Sequence, residues 1–118
     1  MGITYIDGQV RGNNGESVRT VRFLVDSGAS YTLLPASVWQ PLKLEPKRRE
    51  SFALADGTRV ERDIGEAHIT LPQGEAHTPV VLGEPGDDAL LGVITLEILG
   101  LVLNPFNRTL QRMRMLLG

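Results

Sequence analysis

At 118 residues, with 42% hydrophobic and 22% charged residues, the chain has the size and composition of one packed domain spanning residues 1–118, which excludes a disordered tail or a fibrous repeat. Its formal net charge of -2 gives no general attraction to nucleic acid or to an anionic membrane. The lack of cysteine excludes disulfides, thiolate nucleophiles and thiolate metal sites.

Ile3 to Val10 and Ser17 to Val25 are β-rich and flank Gly12-Asn13-Asn14-Gly15, a cluster that supplies the left-handed backbone of a hairpin turn. The first of these segments alternates apolar and polar residues and lacks the basic start and apolar run of a secretory signal. After Asp26-Ser27-Gly28-Ala29-Ser30, strand character resumes at Tyr31 to Leu34, and Pro35 to Gln40 suits one short helical turn. Lys43 to Glu50 reads as a charged, solvated loop, with Lys47-Arg48-Arg49 balanced by Glu45 and Glu50. Ser51 to Ala55 and Thr58 to Ile64 flank Asp56-Gly57, a two-residue hairpin signal. Two further strands, Glu66 to Leu71 and Ala76 to Leu82, lie either side of Pro72-Gln73-Gly74.

Leu90-Leu91-Gly92 follows a polar turn at Glu84 to Asp88, and Thr95 to Leu99 has helical spacing, with Thr95 read as its N-cap and Gly100 as the residue past its end. Leu101 to Leu103 and Thr109 to Met115 close the chain as strands. Leu90 to Leu103 is the richest apolar stretch, but it is broken by Gly92, Thr95, Glu97 and Gly100 and is too short to cross a bilayer as a helix. The expectation is a soluble, cytoplasmic, all-β protein: a small closed antiparallel barrel with one short helix near the C-terminus.

The chemistry rests on one constellation. An apolar strand, Val21 to Val25, runs into Asp26-Ser27-Gly28-Ala29, and later Ala89-Leu90-Leu91-Gly92 leads into a short helix. Asp-Ser-Gly alone is a common turn. In this context, with the Asp56-Gly57 hairpin between the two segments, the chain resembles the retroviral and retroviral-like (retropepsin-type, clan AA) aspartic peptidases. The resemblance covers about Val18 to Leu110.

It implies an aspartic endopeptidase that hydrolyses peptide bonds through an activated water, with no cofactor and no metal. Asp26 would be the catalytic acid, with Ser27 bracing the neighbouring loop and Gly28 admitting backbone close to the substrate. Ala29 and Leu90, together with Leu54, Ala55, Asp56 and Gly57 of the hairpin acting as a flap, would contact a polypeptide substrate. Because the chain carries one such triplet, the second carboxylate would come from a second copy, with Asp26 facing its own mate across a homodimer axis. Two departures stand out. Val93 and Ser30 occupy places where retroviral enzymes carry an arginine and its acid partner, which likens the chain to cellular or bacterial members. The flap tip is also less glycine-rich than the viral ones.

Other patterns carry less. His68 and His77 fall on neighbouring strands without an acidic cluster and read as structural or surface residues. No Gly-x-Ser-x-Gly elbow is present, so Ser27 is not read as a nucleophile. Trp39 reads as packing. The rival reading is a catalytically silent retropepsin-like dimerisation or peptide-binding module.

Overall fold

The computed structural model describes residues 4–12, 17–104 and 106–113. The turn at Gly12-Asn13-Asn14-Gly15 and the end of the last expected strand therefore fall largely outside the described residues. Strands β1 (Tyr5–Arg11) and β2 (Val18–Val25) bury alternate residues. Val10, Val21, Phe23 and Val25 thus turn one way, as the two-residue strand period requires. Each such full burial contributes about 1.5–3 kcal/mol. Next come β3 (Thr32–Leu34), helix α1 (Ala36–Trp39), β4 (Arg48–Ala53), β5 (Arg59–Leu71) and β6 (Gly74–Leu82). The chain continues through the two-residue β7 (Leu90–Leu91), helix α2 (Val93–Leu99), β8 (Leu101–Asn104) and β9 (Thr109–Arg112).

One sheet runs β1-β2-β7-β3-β6-β5-β4, and β1 also pairs with β5. That extra pairing closes six strands into a ring around a core of Phe23, Leu34, Ile69, Val80 and Leu91, with β4 appended outside it. The predominantly β fold is as expected, and most pairings are antiparallel. β2–β7 and β3–β6 are parallel, and β7 enters between β2 and β3 from far along the chain. β8 and β9 form a separate antiparallel pair.

Four local readings are corrected. The charged segment at Arg48 is strand, not loop: β4 pairs along β5, and Arg49 meets Asp63 at 3.2 Å. The two strands expected at Thr58–Ile64 and Glu66–Leu71 are one, because Gly65 makes no turn. It lets β5 pass against Glu45, whose carbonyl oxygen would lie 2.9 Å from any Cβ at that position. The tip of the β4–β5 hairpin is a three-residue loop, Ala55-Asp56-Gly57, not the expected two-residue turn, closed by Leu54 N–H to Thr58 O at 2.7 Å. Gly57 N–H bonds Leu54 O at 2.9 Å and Gly57 has φ +89°, the turn-plus-left-handed pattern of such loops. Finally, α2 starts at Val93 with Gly92 as its cap residue, and Thr95 lies buried inside it. Gly100 does end the helix, with φ 70°.

Short α1 is held from outside: Trp39 Nε1–H donates to Gly83 O at 2.8 Å while its ring packs on the core. Among the described residues, no helix is long and apolar enough to cross a membrane.

Candidate active site

Buried β2 delivers Asp26 to the end of a parallel pairing with β7, where Asp26 N–H donates to Leu91 O at 3.1 Å. The chain then turns: Ala29 N–H reaches back to Asp26 O at 3.1 Å, and Gly28 N–H donates to Asp26 Oδ1 at 2.9 Å. One carboxylate oxygen is thereby oriented by the loop's own backbone.

The loop is fastened from the other side by α2. A helix leaves its first N–H groups without internal partners. Here Val93 N–H and Ile94 N–H donate to Ala29 O and Ser30 O, each at 2.9 Å. Main-chain bonds therefore join the Asp26 loop to the first turn of α2.

Beneath the loop lies a polar chain inside the core. Thr32, Thr78 and Thr95 are almost wholly buried. Gly92 N–H donates to Thr32 Oγ1 at 3.0 Å, Thr32 and Thr95 hydroxyls meet at 2.6 Å, and Thr95 and Thr78 hydroxyls at 2.8 Å. Thr78 donates onward to Pro79 O at 3.3 Å. Running the protons from Thr32 to Thr95 to Thr78 satisfies every hydroxyl, which removes the cost of burying them. Gly92 itself sits so close to the start of β3 that a Cβ would come within 2.4 Å of the Tyr31 carbonyl carbon.

Above Asp26 opens a cleft of about 580 Å³. Asp26, Gly28, Ala29 and Leu90 form its floor, and Leu54 and Ala55 reach it from the β4–β5 hairpin. Ser27, Asp56 and Gly57 are exposed and lie outside its lining. The Asp56 carboxylate turns onto its own loop, accepting bonds from the Thr58 hydroxyl and from Thr58 N–H. Those bonds, the hydroxyl's foremost, hold its pKa below the usual carboxylate range.

Two further charged residues of the cleft lining have local partners. Arg62 pairs with Glu84 at 3.1 Å, and Asp87 Oδ2 accepts Glu84 N–H at 2.7 Å. At the rim, Arg48 donates to the Tyr31 hydroxyl at 2.7 Å and also bonds Glu50; the Tyr31 bond is the main reason its pKa is raised.

Elsewhere, the rings of His68 and His77 meet edge-on at 4.9 Å. His68 Nε2 lies 3.1 Å from Glu75 Oε1, so an acid does stand beside them. Among the described residues no group of three or more metal-ligating side chains comes together.

A closed ring of strands, an aspartate loop at the end of a buried strand and a hairpin over the cleft define a retroviral-protease type of molecule. The chain belongs to the family described as "gag-polyprotein putative aspartyl protease", whose model matches residues 9–97. The fold is similar to that of the EIAV protease complexed with the inhibitor HBY-793. That similarity has a TM-score of 0.62 at 19% identity and covers 84% of this chain and 89% of that one. The Simian Foamy Virus (mac) protease matches with a TM-score of 0.57 at 16% identity, over 81% of this chain and 94% of that one. No curated protein sequence matches.

Sequence reading missed Tyr31, Phe52 and Arg62 in the cleft lining and the three threonines beneath it. The threonines carried no signal, since Thr is also an ordinary strand residue. Tyr31 had one, a large aromatic side chain close behind the aspartate loop.

Proposed function

We propose that this chain is an aspartic endopeptidase that cleaves polypeptides as a symmetric homodimer, with a water activated between Asp26 and its copy. The observation that carries the proposal is the seating of Asp26 in the cleft lining: at the end of β2 its N–H bonds Leu91 O, and Gly28 N–H orients its carboxylate. The chain carries one such Asp-Ser-Gly loop, and a twofold axis would supply the second carboxylate.

Two such groups held close cannot both ionise comfortably, so they share a proton, as the carboxylate pairs of aspartic proteases do as a class. The ionised carboxylate takes a proton from water as that water attacks the scissile carbonyl carbon. The protonated carboxyl donates a hydrogen bond to the carbonyl oxygen, where negative charge develops. Ser27, exposed on the same loop, would brace the partner's loop, and the β4–β5 hairpin would act as the flap. Leu54 and Ala55 would contact substrate from above, while Asp56 and Gly57 shape the tip.

The test is cleavage of a peptide library across pH by the wild type and by Asp26→Asn. A bell-shaped profile belonging to the pair is expected for the wild type. The variant should lose cleavage while circular dichroism shows an unchanged fold. Equal cleavage by the folded variant would reject the assignment.

A further inference from the structure

Tyr31 lines the cleft from a backbone that has little room to move. The approach of Gly92 leaves no space for even a Cβ against Tyr31, and the next residue, Thr32, holds Gly92 N–H through its hydroxyl. From this base the Tyr31 ring meets the ring of Phe52 edge-on, with centroids 5.8 Å apart and planes at 87°, a favoured aromatic geometry. Phe52 belongs to β4, the first strand of the hairpin over the cleft.

The polar end of Tyr31 is already engaged, because Arg48 of the same strand donates to its hydroxyl. What the ring adds to the cleft is therefore apolar carbon. Leu33, Val60, Val81 and Leu90 continue that surface. At its margin Arg62 is paired with the Glu84 carboxylate, and Asp87 accepts the Glu84 backbone N–H.

We infer that Tyr31 is the specificity-determining residue of this cleft: with Phe52 it forms an aromatic wall joining floor to flap, bounding a subsite for an uncharged apolar side chain of leucine to phenylalanine size. The inference rests on the peptidase reading above. An apolar pocket discriminates by volume, and each methylene too many or too few is worth about 10–200-fold in kcat/KM. Cutting this wall back enlarges the pocket and should shift preference toward bulkier side chains.

The experiment uses the full chain and its Tyr31→Leu, Tyr31→Phe and Phe52→Leu variants on one peptide mixture randomised around the cleaved bond, with products read by mass spectrometry. Wild type should favour Leu, Met or Phe at one position. Tyr31→Leu should move the kcat/KM ratio at that position toward Trp by about tenfold or more, and Phe52→Leu should shift the same position. Tyr31→Phe keeps the ring and loses only the Arg48 bond, so its profile should match wild type.

A Tyr31→Leu profile identical to wild type, with all peptides slowed alike, would overturn the inference. A second arm separates it from the peptidase reading: the same mixture is bound to Asp26→Asn with and without Tyr31→Leu, and the retained peptides are sequenced. If wild type cleaves nothing, the peptidase reading fails. A shift in the retained set would still sustain the subsite, and an unchanged set would reject it.

Discussion

The backbone N–H of Gly92 donates to the hydroxyl of Thr32 at 3.0 Å, and through it β7 is fixed to a chain of three buried threonines. Removing the middle hydroxyl in Thr95→Val keeps the shape but leaves Thr32 without an acceptor and Thr78 without a donor. Unmatched buried groups cost about 1–3 kcal/mol, so chemical denaturation should show a loss in that range. Thr95→Ser, which keeps the hydroxyl, should lose less. The reverse order would mean that the methyl group's packing, not the hydrogen bonds, is what matters.

Gly92 and Gly86 make a matched pair. A Cβ at Gly92 would lie 2.4–2.8 Å from backbone atoms of Tyr31 and Thr32, whereas one at Gly86 meets nothing within 4 Å. Gly92→Ala must push two strands apart and is expected to cost at least about 3 kcal/mol, the upper end for overpacking. Gly86→Ala should stay within about 0.5 kcal/mol of wild type. Thermal melts of both variants decide the matter.

The flap tip should resist acid. Bonds from Thr58 lower the folded-state pKa of Asp56. Its contribution is then fully present above the usual carboxylate range and fades only as pH falls through the depressed value. NMR titration should show the Thr58 N–H shift moving with a midpoint below that of an ordinary carboxylate. Asp56→Ala should abolish that transition and broaden the signals of the tip. A Thr58 shift that titrates with an unperturbed carboxylate pKa would contradict the geometry.

If the active species is a dimer, specific activity should fall on dilution, because the second carboxylate departs with the partner. Light scattering and activity measured on the same dilution series should give matching midpoints. Undiminished activity in a monomeric sample would remove the dimer from the mechanism.

The sequence was most legible where chemistry and local rules coincided. Asp26 at the end of an apolar strand, Gly100 ending a helix and a glycine at the flap tip follow from residue type and position. It was least legible where distant segments decide. Gly65 looked like a strand boundary, yet it is a point of close approach to Glu45. Thr95 looked like a cap, but its hydroxyl is claimed by Thr32 and Thr78 from other strands. Arg48 and Arg49 are exposed as read, but they lie on a strand and not a loop, because β5, the strand they pair with, is remote in sequence.

The insertion of β7 between β2 and β3 also bears on the order of folding. Leu24 pairs with Leu90 and Leu33 with that same residue, so both halves of the aspartate loop's support wait for the last quarter of the chain. A ribosome can release the β1–β2 and β5–β6 hairpins early, since their partners are neighbours in sequence. The Asp26 loop has no Leu91 carbonyl to bond until translation has passed it. Such non-local pairing slows folding relative to hairpin formation. Assembly of the cleft floor around Asp26 is therefore expected as the late phase of refolding, and truncation before residue 90 should leave strands that collapse without closing.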